Sequence, residues 1–99
     1  MQFKIKKSSS LKKLVIGYNS IGATGGKAIG DAFAASRSLT ELSIAGNLIG
    51  LKGGKAIGDA ALRNTSITHV DVRFNSLDSK TKDLLKQVEG EREGLKFEL

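Results

Sequence analysis

The chain has no cysteine, no proline and only one histidine among its 99 residues. The absence of cysteine excludes disulfides, thiolate catalysis and thiolate metal sites, and it favours a reducing compartment, so we expect a cytoplasmic protein. One histidine cannot build a zinc site of several histidines. No apolar run approaches the roughly 20 residues that a membrane-spanning helix needs. We therefore expect no membrane span, no metal and no cofactor.

Acidic residues are in the minority, since sixteen Lys and Arg face ten Asp and Glu and leave a net charge of +6. Residues 1–13 contain five lysines and no acid, so this short segment carries nearly all of that charge. The remaining residues are close to neutral and give little reason to expect nucleic-acid binding by the rest of the chain. Nucleic-acid or acidic-membrane binding through the basic N-terminal segment is kept as an alternative function.

The chain contains an internal repeat of 28 residues. The octapeptide Gly25–Ala32 occurs again, letter for letter, at Gly53–Ala60. In each unit an alternation of apolar residues predicts a short strand, and a later i, i+4 spacing predicts a helix. One such unit cannot bury its apolar side chains alone, so stacked units must share a core. The same shift relates fifteen positions in three copies, which are Leu11, Leu14, Ile16, Asn19 and Ile21, then Leu39, Leu42, Ile44, Asn47 and Ile49, then Ile67, Val70, Val72, Asn75 and Leu77.

This L-x-x-L-x-L-x-x-N-x-L pattern resembles the leucine-rich repeat family, and the 28-residue unit resembles its ribonuclease-inhibitor-like subclass. The resemblance implies an α/β solenoid with a parallel sheet on the concave face and helices on the convex face. The predicted organisation has a basic cap or a truncated preceding repeat at residues 1–10, and a terminal strand at residues 95–99. Three repeats lie between them, at residues 11–38, 39–66 and 67–94. Leu95 follows Ile67 by 28 residues, which predicts that the terminal strand keeps the repeat register.

Details within the unit lead to further expectations. Gly25 and Gly53 are expected to open the first two helices, and Asp78 or Ser79 is expected to cap a third helix that ends near residue 89. Glycine inside a helix costs about 0.5–1 kcal/mol relative to alanine. Gly30 and Gly58 therefore predict that the helices approach the sheet or one another closely.

The three asparagines are expected to be structural. Asn19, Asn47 and Asn75 follow their strands by the same number of residues. A buried amide both donates and accepts hydrogen bonds, so each asparagine is expected to bind the backbone of its own turn and of the next unit.

Several motifs that suggest chemistry have a simpler structural interpretation. Gly-Gly-Lys lacks the first glycine and the Ser or Thr of a phosphate-binding loop. Ser43, His69 and Asp71 are predicted on one sheet surface, but an open face offers no oxyanion hole for a catalytic triad. Asn64-Thr65-Ser66 is a formal glycosylation sequon that we interpret as a helix-to-strand loop. We therefore expect no catalytic residues and no enzyme activity.

Polar and aromatic residues between the inward leucine positions are predicted to form a partner-binding surface. Aromatic and arginine side chains are enriched in interfaces. Tyr18 and Phe74 precede an asparagine, so a position at the rim and a partial packing role are both open. The surface comprises Lys13, Val15, Tyr18, Glu41, Ser43, His69, Asp71, Arg73 and Phe74.

The resemblance implies a recognition surface for a protein rather than for a small-molecule substrate. A GTPase-activating or other enzyme-regulatory fragment is the alternative within this class. A sheet of four short strands offers on the order of 300–400 Å², whereas a standard interface buries about 800 Å² per partner. The hypothesis that follows is that flanking regions contribute, or that the chain self-associates through exposed edge strands.

Overall fold

The computed structural model describes residues 11–99, in which strands and helices alternate along the chain. The strands are β1 (Lys13–Val15), β2 (Glu41–Ser43), β3 (His69–Asp71) and β4 (Lys96–Glu98), and the helices are α1 (Gly22–Ala34), α2 (Gly50–Arg63) and α3 (Ser79–Glu91). The four strands form one parallel sheet in the order β1-β2-β3-β4. This confirms the predicted α/β solenoid. The prediction for residues 1–10 lies outside the described residues.

The strands pair in the register of the 28-residue repeat until the last one. Leu14 lies opposite Leu42, and Leu42 lies opposite Val70. Val70, however, lies opposite Phe97, a shift of 27 residues. The register predicted from Leu95 is therefore wrong by one residue. The chain has lost one residue between the first two apolar positions of this last unit, and Leu95 and Phe97 are nevertheless both buried.

The core lies between the sheet and the helices. Each strand sends its central residue into this layer, while the flanking residues project to the opposite face. Ile29 and Phe33 of α1 are fully buried, as are Ile57 and Ala61 of α2, which confirms the predicted helix faces. No helix of the described residues is long and apolar enough to cross a membrane.

The first two helices begin three residues earlier than predicted. They start at Gly22 and Gly50, whose φ values are +69° and +62°. Ile21 and Ile49, which precede them, provide no side-chain cap. The N–H groups of Gly22 and Gly50 instead donate to backbone carbonyls of the following repeat. Contacts between repeats therefore fix these helix starts, a signal that lies outside each helix's own sequence.

The third helix begins with a side-chain cap. The Asp78 carboxylate accepts a hydrogen bond from the Thr81 N–H at 2.8 Å and another from the Thr81 hydroxyl at 2.8 Å. Asp78 is thus the cap, as predicted. These bonds hold the pKa of Asp78 below its ordinary value.

The helix glycines allow neighbouring helices to touch. A Cβ added to Gly30 of α1 would lie 3.0 Å from the backbone oxygen of Ala56 in α2. A Cβ added to Gly58 of α2 would lie 3.0 Å from Leu85 Cδ2 in α3. The predicted close approach is confirmed, and at these two positions it is between helices rather than between helix and sheet.

Candidate functional site

Strand pairing brings six of the predicted surface residues into one open groove on the concave face. Lys13, Glu41 and His69 form one row across β1, β2 and β3. Val15, Ser43 and Asp71 form the next row. Together with Leu42, these six residues line a depression of about 450 Å³.

Ion pairs neutralise the charges of the groove. Lys13 Nζ lies 3.4 Å from Glu41 Oε2. His69 Nε2 lies 3.4 Å from Glu98 Oε1, so a protonated His69 would also be paired. Both pairs are partly exposed, so water and salt screen them and they add little stability. A partner can exchange these contacts for its own polar groups at small cost.

Glu98 belongs to this site but is absent from the predicted surface. It lies opposite Asp71 in β4, and its carboxylate contacts both His69 and Arg73. The alternation of residues 95–99 is a signal for its orientation. Its neighbours follow only from the 27-residue shift, which the 28-residue repeat does not reveal.

Asp71 is less available to a partner than its position in the sheet suggests. It is buried, and Arg73 Nε and Nη2 donate to its two carboxylate oxygens at 3.0 and 2.9 Å. The Arg73 backbone N–H adds a third bond at 3.1 Å. The hydrogen bonds from Arg73 hold the pKa of Asp71 below its ordinary value although burial opposes this, and Asp71 raises the pKa of Arg73. Asp71 thus anchors Arg73 at the edge of the groove.

Tyr18, Arg73 and Phe74 lie at the rim, where the strands end. Tyr18 and Phe74 are 71% and 68% exposed, with φ values of +57° and +60°. Gly46 occupies the equivalent turn position between them, and the Tyr18 ring covers it so closely that no Cβ would fit. The Arg73 guanidinium lies 5.9 Å from the centre of the Phe74 ring. The rim therefore presents two aromatic rings and a held cation to solvent.

The asparagines connect successive turns through their side chains. Asn47 Nδ2 donates to carbonyls of its own turn and to the Ile16 carbonyl, while Asn47 Oδ1 accepts from the Asn19 N–H at 2.8 Å. Asn75 makes the same bonds to Ile44 and Asn47. Each side chain thus binds the preceding unit, and the predicted direction, toward the next unit, is wrong. Asn19 is exposed and bonds only within its own turn, to the Gly17 carbonyl.

A second polar column, not predicted from the sequence, lies at the helix-to-strand turns. Ser36, Asn64 and Arg92 occupy successive positions 28 residues apart. Asn64 Nδ2 donates to the carbonyls of Phe33 and Ser36, and Arg92 donates to the carbonyls of Ala61 and Ile67. The spacing of polar residues was the available signal. Because the Asn64 amide is buried and bonded, the sequon offers no accessible acceptor for a glycan in the folded protein.

Ser43, His69 and Asp71 do not form the geometry of a catalytic triad. A triad needs its acid on the imidazole of the base. Here both Asp71 oxygens bind Arg73, and His69 Nε2 contacts Glu98. Within residues 11–99 no cluster of three metal-ligating side chains is present either. The arrangement suits surface recognition better than acyl transfer.

Comparison with known proteins adds a family and a structural likeness. A family model described as "Leucine Rich repeat" matches residues 7–30, 35–58 and 63–80. A solved structure of Leiomodin-1 Actin-Binding Site 2 (ABS2) is similar, with a TM-score of 0.83 and 21% sequence identity. The likeness covers 94% of this chain and 55% of that chain, so this chain spans about half the length of that structure. No curated protein sequence matched.

Proposed function

Because the chain belongs to the leucine-rich repeat family, we propose that it is a protein-interaction module that holds a protein partner on its concave face. The observation that carries the proposal is the groove between Lys13 and Asp71, bordered by the exposed rings of Tyr18 and Phe74. Aromatic residues that are exposed and rigidly held are the usual anchors of protein interfaces. The 28-residue offsets between β1, β2 and β3 support assignment to the ribonuclease-inhibitor-like subclass.

Rigidity at the rim supports this function. A side chain that is already ordered loses less entropy when a partner binds it. Asp71 restrains Arg73 through two side-chain bonds. Tyr18 is braced on Gly46. The rim thus offers a preorganised cation between two aromatic rings, and the groove beside it offers polar groups that a partner can replace.

The neighbour's printed name associates that protein with actin binding. The shared architecture makes an actin-like protein surface one partner class worth including in a screen, although 21% identity supports the fold alone. Recognition through the sheet face needs no cofactor. We propose cytoplasmic residence, from the absence of cysteine, and regulation of an enzyme partner stays an alternative outcome of binding.

The test is affinity capture with two matched variants. The first carries Val15→Ser, Tyr18→Ser and Phe74→Ser on the concave side and its rim. The control carries Leu51→Ser and Leu62→Ser, which remove exposed apolar side chains from α2. All five positions are exposed, so each variant should fold, and its melting temperature verifies this.

We expect the concave variant to lose its partner by at least tenfold and the α2 variant to retain it, since interface anchors contribute about 2 kcal/mol or more each. Equal capture by both variants, with both folded, would refute concave recognition. Loss in the α2 variant alone would move the interface to the convex face.

A further inference from the structure

The third turn of the solenoid lacks a bond that both earlier turns have. In the first turn the Asn19 N–H donates to Asn47 Oδ1 at 2.8 Å. In the second, the N–H groups of Asn47 and Ile49 donate to Asn75 Oδ1 at 2.8 and 3.3 Å. The equivalent donors of the third turn are the N–H groups of Asn75 and Leu77. No residue between 11 and 99 accepts a hydrogen bond from either of them.

The empty third turn has the same backbone shape as the occupied second turn. Phe74 and Ser76 have φ values of +60° and +58°, and their equivalents Gly46 and Leu48 have +70° and +55°. Alternating left-handed residues aim successive N–H groups into one concavity, a backbone nest that binds oxygen atoms. The second turn shows the ligand that such a nest takes in this protein, a side-chain amide oxygen. An acceptor could therefore enter the third nest without rearrangement.

The surroundings of this nest define the rest of the ligand. A groove of about 340 Å³ opens here, and Val72, Leu77 and Leu99 supply its apolar lining. Arg73 and Lys82 also line it, and no acidic side chain does. Arg73 is held by Asp71, but Lys82 makes no ion pair within the described residues. The groove thus combines two free N–H donors, an apolar wall and an available ammonium group.

We propose that the nest formed by the Asn75 and Leu77 N–H groups is a peptide-binding site that takes a carboxylate or carboxamide oxygen. Apolar side chains of the same peptide pack against Val72, Leu77 and Leu99. Lys82 favours a carboxylate over an amide through its charge. The oxygen can come from an Asp or Asn side chain or from a peptide's terminal carboxylate. This site is separate from the concave groove and does not depend on the proposed function.

The test uses a peptide that copies the segment filling the second nest. The probe is residues 70–77, acetylated and amidated, titrated into the ¹⁵N-labelled protein. Its Asn75 is the acceptor, and peptides with Asn75→Ala and Asn75→Asp are matched probes. A fourth peptide carries Asn75→Ala but has a free carboxyl terminus, and it distinguishes a terminal carboxylate from a side chain.

We expect the Asn and Asp peptides to shift the amide resonances of Asn75 and Leu77, and the blocked Asn75→Ala peptide to bind about tenfold more weakly. Lys82→Gln in the protein should weaken the Asp peptide several-fold and leave the Asn peptide unchanged. Lys86→Gln, an exposed lysine of the same helix outside the groove, should change neither. Equal binding of the Asn75 and Asn75→Ala peptides, or shifts confined to the concave face, would overturn the proposal.

Discussion

Replacing Gly30 by alanine tests whether the helices are packed too closely for a methyl group. The new Cβ would lie 3.0 Å from the oxygen and 3.3 Å from the carbon of the Ala56 carbonyl. These are backbone atoms of α2, so relief requires a shift of a whole helix. Alanine would gain about 0.5–1 kcal/mol of helix propensity, but overpacking of this kind costs typically about 1–3 kcal/mol. The balance is a net loss on the order of 1–2 kcal/mol.

Two further glycines calibrate this result. Gly90 lies within α3 and has no atom within 4 Å of an added Cβ, so Gly90→Ala should keep the propensity gain and stabilise the protein. Gly58 faces the mobile end of Leu85, so Gly58→Ala should fall between the other two. Thermal unfolding followed by circular dichroism measures all three. In a domain of this size 1 kcal/mol moves the Tm by roughly 4–8 °C. A Tm for Gly30→Ala as high as that for Gly90→Ala would refute the close-packing argument.

Three further predictions concern polar groups. Asn47→Ala should destabilise the protein by about 2–4 kcal/mol in urea unfolding, because it leaves buried carbonyls and an N–H without partners, whereas Asn19→Ala, at the exposed end of the column, should cost less than about 1 kcal/mol; similar losses would contradict the column. Asp78→Ala should cost about 1 kcal/mol as a lost helix cap, with Asp83→Ala, exposed on the same helix, as a near-neutral control. Arg73→Gln should raise the pKa of Asp71, which NMR titration of its carboxyl group would show. Because the folded pKa of Asp71 lies below 3.8, its carboxylate stabilises the fold above pH 4 and loses this effect as the pH falls through the folded pKa, a dependence that the variant should lack.

The repeat predicted most of the fold because its period is a packing requirement. Equivalent apolar residues such as Leu14, Leu42 and Val70 must stack, so a sequence shift of 28 becomes a strand register. Contacts with a partner outside the unit were harder to predict. The direction of the Asn75 bonds and the starts of α1 and α2 depend on how one turn meets the next, and no single unit contains that information.

The groove was largely predictable, whereas the availability of its side chains was not. Alternation placed Lys13, Ser43 and His69 on one face, and the structure brings them together. It could not show that Arg73 saturates the Asp71 carboxylate, because residues two apart on a strand need not touch. Glu98 escaped notice because a one-residue deletion hides its neighbours from the repeat.

The central claim is that the concave face holds a protein partner, and its most direct test is to map which residues the bound partner covers. Cross-saturation NMR of the labelled chain in complex with the captured partner gives that map. The account predicts the strongest effects at Val15, Ser43 and His69 of the groove and at Tyr18 and Phe74 of the rim. Effects confined to exposed helix residues such as Lys27 and Lys55, with the groove unaffected, would contradict it.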